Sequence, residues 1–276
     1  MKTFLLVDTS YCIFFRFFAT KTWYRFANPE DKFEDGYSWI DNQIFKKSFI
    51  KNFFKGFLKM IKKYEIDENN IIFTIDCNRK DIWRNKYFNK YKANREGKYG
   101  SSPGQIDIGP YFIYTYENIL PNLVKDKNCK IVKFNNLEAD DVIYLTKLRL
   151  RELYPDCNII VITSDHDMLQ IIDDNTKLIS LKNKMLNDKS CGDPKKDLEI
   201  KVICGDKSDN IAGCFKRCGI KTAMKCIENR LELEKQFKKN PGSLDIYALN
   251  KILVDFKNIP TNLVESFNKY ILDIEL

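Results

Sequence analysis

Acidic residues in this chain gather in groups that a hard cation would hold together. The segment LEADD places Glu138, Asp140 and Asp141 within four residues, at the start of an expected helix. Glu138 and Asp141 then share a helix face, and Asp140 reaches sideways from the first turn. Carboxylates this close repel one another. The helix N-terminal dipole relieves part of that repulsion, and a divalent cation relieves far more. In TSDHD, Asp165 and Asp167 stand two positions apart. In extended chain both point to one side, where they can grip one ion or straddle two. His166 between them points away and reads as a loop residue, not a ligand. GDKSDN carries Asp206 and Asp209, flanked by Gly205 and Gly213, without the D-x-D-x-D-G spacing of an EF-hand. Each group alone has an ordinary explanation: an acidic first turn, a polar loop, an Asx turn. Their repetition along one chain is what those explanations do not cover.

Exclusion points the same way. The 276 residues contain one histidine, so mechanisms pairing a histidine base with a serine or cysteine nucleophile have a single candidate. The nine cysteines include no C-x-x-C pair. Cys214, Cys218 and Cys226 are the best zinc candidates, but reduced, mostly buried thiols are the default expectation. The net charge is +8, with 46 basic and 38 acidic residues. With nine acids assigned to one site, 29 remain against 46 bases, an excess of 17. A focused negative pit in a positive surface suits a metal-bearing enzyme acting on a polyanion.

Short apolar runs that end in acid must position these groups. Phe4–Val7 precedes Asp8, Ile71–Ile75 precedes Asp76, 130–134 precedes Glu138, and 159–163 precedes Asp165. Such runs read as buried strands. Helical patterns lie between them at 43–64, about 79–95, about 108–126 and 137–154. The alternation predicts an α/β fold with a central, mostly parallel sheet flanked by helices. Residues just past the carboxyl ends of its strands would then meet along one edge. In WRNKYFNKYKANR, positions 84, 88, 91, 92 and 95 fall on one helix face, joining Arg84, Lys92 and Arg95 to Phe88 and Tyr91. Cations beside aromatics suit phosphate contact with base stacking. Residues 21–42 read as a long loop, 96–107 as a flexible stretch and 182–197 as a polar connector, before a helical, lysine-rich region to Leu276.

At this point the chain resembles the 5′ nuclease and flap endonuclease superfamily, especially the phage-type and bacterial polymerase-associated 5′-3′ exonucleases. Six pieces carry the resemblance in the family's order: LLVDTS with FFRFFA, TID, WRNKYFNKYKANR, LEADDVI, ITSDHDMLQ, and GDKSDNIAG with GIKTA. They span about four-fifths of the chain. The resemblance implies an N-terminal α/β nuclease domain (1–180) holding the metal site and a helical gateway or arch (about 79–107). It implies a helical C-terminal region (181–276) with a helix–turn–helix element at 211–226. It implies metal ligands at Asp8, Asp76, Glu138, Asp140, Asp141, Asp165, Asp167, Asp206 and Asp209, some acting through water. Arg84 and Lys92 match residues that steady the scissile phosphate. Arg16, Tyr91, Arg95, Gly213, Gly219 and Lys221 fall where the family meets DNA.

The cofactors implied are two Mg2+ ions, with Mn2+ as a substitute, and K+ at the helix–turn–helix. That last element departs from the pattern: its turn is one residue longer and lacks a usual glycine, with Arg217 nearby. The implied activity is metal-dependent hydrolysis of DNA at 5′ flaps, nicks or free 5′ ends, RNA primers included, by a monomer. The rival readings are a PIN-like ribonuclease and a catalytically silent DNA-end binder. Lack of a signal sequence or long apolar run leads to the expectation of no membrane association and a reducing intracellular location: cytoplasm, nucleus or a viral replication site.

Overall fold

The protein is represented by a computed structural model that describes residues 1–33, 36–95 and 106–276. Its centre is a parallel sheet in the order β3-β2-β1-β4-β5. The strands are β1 (Thr3–Asp8), β2 (Ile71–Ile75), β3 (Lys130–Lys133), β4 (Asn158–Ile162) and β5 (Thr176–Ile179). Register is set along β1, where Leu5 pairs with Ile71 on one side and Ile160 on the other. The three central strands, β2, β1 and β4, are almost wholly apolar because both of their faces are covered. Leu5, Val7, Phe73 and Ile75 face one core, whereas Phe4, Leu6, Ile72 and Ile159 face a second, as a period of two requires.

The first core is closed by α1 (Thr9–Ala27), α2 (Gln43–Lys63), and α3 (Gly109–Tyr114), which runs through a π turn into α4 (Leu120–Lys127). The buried face of α2 is Phe45, Phe49, Phe53, Phe57 and Met60, at helical spacing with lysines opposite. The second core is closed by α5 (Ala139–Leu153), which carries the chain across to the other flank of β1. Strands 2 and 3 thus lie to one side of β1 and strands 4 and 5 to the other. The crevice beyond the carboxyl ends, where the strand order switches, is where such sheets build sites.

The C-terminal helices are α6 (Pro194–Cys204), α7 (Ile220–Glu228), α8 (Arg230–Lys239), α9 (Ser243–Val254) and α10 (Thr261–Leu272). Helices α6 to α9 pack in two apolar clusters, one of them shared with Cys77, Ile82 and Tyr91, and α10 returns to the sheet through Phe267 and Ile271.

Three expectations are corrected. The loop expected at 21–42 begins only after Ala27, because Tyr24 packs against Trp39 and Phe45 and holds the last turns of α1. The fifth strand is additional. The helix expected at about 79–95 is instead a chain of 3-10 turns at Arg79–Asp81, Trp83–Lys86 and Ala93–Arg95, with Lys92 at φ +54°. Tertiary anchoring overrides its helical spacing. The Lys92 amide donates to the Asp209 carbonyl at 2.9 Å, and Asn210 Nδ2 donates to the Lys90 carbonyl at 2.8 Å. The part of the expected gateway at 96–105 lies outside the described residues.

Candidate active site

Each carboxylate is placed by the end of an element. Asp8 ends β1 and caps α1, accepting from the Tyr11 amide at 3.0 Å. Asp76 follows β2 and accepts from the Ala139 amide at 2.8 Å and from the Ser10 hydroxyl. Glu138 caps α5, and its amide donates to Asp141 at 3.1 Å. Asp165 follows β4 and accepts from the Asp167 amide at 2.8 Å. The GDKSDN loop brings Asp206 from beyond α6. Gly205 makes this loop possible: at φ +70° a Cβ would lie 2.5 Å from the Ala212 carbonyl.

Asp8, Asp76, Glu138, Asp140, Asp165 and Asp206 all line one cavity of about 430 Å³. Burial, and then the neighbouring Asp76, push Asp8 up to about 7. Burial, and then Asp165, push Asp167 up to about 7. Asp140 is driven well above its ordinary value by burial and by Asp141 and Glu138. Burial and crowding disfavour the charged form of these carboxyls, which is what a bound divalent cation would reverse. Two groups bring ligand oxygens within 4.8 Å of one another: Glu138, Asp140 and Asp141, and Asp167, Asp206 and Asp209. An all-oxygen carboxylate set fits hard divalent ions.

The cations are distributed unevenly. Arg84 is 2% exposed and grips Asp141 with both terminal nitrogens at 2.7 Å. It also donates to Glu138 at 2.8 Å and to the Leu253 carbonyl at 2.7 Å, with its guanidinium over the Trp83 ring. Lys92 reaches Glu138 at 2.5 Å and Asp209 at 3.5 Å, and Arg95 pairs with Asp209. Burial alone would raise Glu138, but Lys92 and Arg84 hold it down at about 2. Among the described residues, Asp8, Asp76, Asp140 and Asp165 take part in no ion pair.

This geometry revises several expected roles. Arg84 is sealed against Asp141 and cannot reach a phosphate without breaking the core. Asp141 is fully buried and outside the cavity lining. Tyr91, 6% exposed, donates its hydroxyl to Glu138 at 3.0 Å and offers no face for stacking. Lys92 and Arg95 do line the cavity, as does exposed His166. Arg16 lies across Gly56 of α2, apart from the cavity. Only 220–226 of the expected 211–226 element is helical; α6 packs on α7 across a loop at 205–219. In that loop the Ile211, Ala212 and Phe215 carbonyls accept from the Asp206 amide, the Asn250 side chain and the Cys218 amide. Gly213 packs on Cys204, Gly219 caps α7, and Lys221 is exposed beside it.

Two contributors were missed in the sequence. Ser10 follows the Asp8 signature closely enough to have been found. Lys201, which holds both Asp167 and Asp206 at 2.5 Å, looks in sequence like any surface lysine of a helix. All nine cysteines are free, and neither ligand group includes one.

Residues 3–196 match the family model described as 5′-3′ exonuclease, N-terminal resolvase-like domain. The chain belongs to the 5′-3′ exonuclease family. A 5′-3′ exonuclease of Buchnera aphidicola is 30% identical over 217 residues, spanning 74% of this chain and 70% of the relative. Among solved structures, a bacteriophage T5 protein crystallised with metal ions superposes with a TM-score of 0.67 at 19% identity, covering 100% of both chains. A bacteriophage T5 flap endonuclease solved with DNA and metal ions gives 0.65 at 18%, covering 99% of each. These two structures share the fold of this family member. No helix among its described residues is long and apolar enough to cross a membrane.

Proposed function

We propose that this 5′-3′ exonuclease family member hydrolyses DNA phosphodiester bonds next to 5′ ends, at flaps, nicks or free termini, with two Mg2+ ions that Mn2+ can replace. The observation that carries this reading is the convergence of six carboxylates from five element ends into one cavity that Lys92 and Arg95 also line. When bound, such ions supply a deprotonated water and neutralise charge building on the phosphate. The chain's own residues do the rest. Asp8, Asp76, Asp140 and Asp165 would hold one ion, and Asp167 and Asp206 the other. Glu138, kept ionised by Lys92 and Arg84, lines the same cavity. Lys92 and Arg95 meet the phosphate oxygens as negative charge grows there. Arg84 and Asp141 are positioning residues that fix Glu138.

The helical region after residue 180, with Gly213, Gly219 and Lys221 at the start of α7, is assigned to the duplex portion of the substrate. The test is cleavage, with Mg2+, of end-labelled flapped, nicked, gapped and RNA-primed duplexes beside single-stranded RNA. Release of 5′-phosphate products from the duplex set supports the reading. Cutting confined to single-stranded RNA would favour the PIN-like alternative, and binding without cutting the silent one.

A further inference from the structure

Lys201 occupies the place that a second cation would take. Its Nζ lies 2.5 Å from an Asp167 oxygen and 2.5 Å from an Asp206 oxygen. The ligand oxygens of Asp167, Asp206 and Asp209 lie within 4.8 Å of one another, so the ammonium sits on the edge of a ready carboxylate cluster. It comes from the last turn of α6, one turn before the loop that supplies Asp206. Asp209, the third member, is itself held by Lys92 and Arg95. The carboxylates of Asp8, Asp76, Asp140 and Asp165 have no such ammonium among the described residues. Asp8, Asp76, Asp140 and Asp165 accept from the amides of Tyr11, Ala139, Asp141 and Asp167, and Asp76 also from the Ser10 hydroxyl. A lysine ammonium thus contacts Asp167 and Asp206 directly, whereas Asp8, Asp76, Asp140 and Asp165 form no ion pair among the described residues.

We propose that Lys201 is a built-in counter-cation of the second carboxylate cluster. A divalent ion then binds the Asp167–Asp206–Asp209 side only by displacing its ammonium, and more weakly than the ion beside Asp8, Asp76, Asp140 and Asp165. A monovalent and a divalent cation cannot share two carboxylate oxygens, because their mutual repulsion at such range is severe. The lysine stem is flexible and lines the same cavity, so the displaced ammonium stays in it, where a substrate phosphate would lie. Loading of the second ion and of the substrate are thereby linked: a phosphate that holds the released ammonium favours the second ion.

This rests on the reading of the cavity as a divalent-metal site, and its test counts ions rather than turnovers. Free Mn2+ is measured by electron paramagnetic resonance during titration of the full-length wild type, Lys201→Gln and Lys201→Arg, without DNA. The wild type shows one tight and one weak class of site. Lys201→Gln tightens the weak class by about tenfold or more, the scale of removing one nearby competing charge. Lys201→Arg keeps it weak, and the tight class stays unchanged in both. Two classes of equal affinity in the wild type, or a weak class indifferent to Lys201→Gln, would overturn the proposal while leaving the metal-site reading intact. Failure to bind any Mn2+ would overturn both. Should Lys201→Gln not fold, the lysine Nζ resonances of wild type during Mg2+ titration decide instead. The Lys201 signal moves after the first equivalent has bound, and a signal that never moves contradicts displacement.

Discussion

Replacing Arg84 by Met separates two roles that a cation near the carboxylates could have. If Arg84 met phosphate, its loss would slow cleavage and leave the fold alone. The structure instead gives it four short hydrogen bonds, two to Asp141 and one each to Glu138 and the Leu253 carbonyl, all at 2.7–2.8 Å. Asp141 is fully buried, so Arg84→Met leaves a carboxylate whose remaining donors are the Trp83 indole and the Glu138 amide. Breaking one partner of a buried ion pair costs about 3–5 kcal/mol. For a chain of this size that lowers the thermal midpoint by on the order of 10 °C. Urea unfolding of Arg84→Met, Asp141→Leu and the double variant provides the assay. Each single variant loses about 3–5 kcal/mol, and the double variant loses less than their sum by about 1–3 kcal/mol. An Arg84→Met protein that unfolds at the wild-type urea midpoint, with only its cleavage rate reduced, would refute the positioning role.

Lys92→Ala and Arg95→Ala should each lower the single-turnover cleavage rate by about 10²–10³, the scale of losing one donor to a developing oxyanion; unchanged rates would remove both from the phosphate. Cys191 is the one exposed cysteine, and burial holds Cys77 and Cys214 up at about 12. A maleimide applied briefly to native protein at neutral pH should therefore label Cys191 first, as peptide mapping would show, and early labelling of Cys214 would contradict the packing. Burial would raise Asp173, but Lys147, Thr176 and Arg151 hold it below its ordinary value of 3.8. Its stabilising contribution is present above that value and is lost as pH falls through the depressed folded value. Asp173→Asn should accordingly be less stable than wild type at pH 7, with the gap closing in acid; a gap that is constant with pH would exclude the ion pair as its cause.

The strand ends were legible because their physics is local. LLVD, IIFTID and IIVITSD each combine a β-branched or aliphatic run with an acid at its close, and a doubly covered parallel sheet asks for little else. The strand TKLI at 176–179 is four residues long with polar members, too little for a pattern to register. The stretch at 79–95 misled for a physical reason. Its spacings of three and four imitate a helix, but Arg84 turns inward to Asp141 while Lys92 adopts a left-handed conformation to dock on Asp209. Both partners lie more than 50 residues away in sequence, which no local pattern encodes. The same holds for Lys201, whose importance comes from where the loops carrying Asp167 and Asp206 fold back, not from its neighbours in LEIKVIC.

The most direct test of the central claim is cleavage of a 5′-flapped duplex by Asp165→Asn, read beside DNA binding in the same buffer with Mg2+. Asp165 lines the cavity, takes part in no ion pair among the described residues, and is exposed just past the end of β4 rather than in the core. Cutting should fall by at least about 10³, the scale of losing metal-assisted chemistry, while flap affinity and thermal midpoint stay near wild type. Wild-type cleavage by this variant in Mg2+ would contradict the carboxylate metal centre on which the whole account rests.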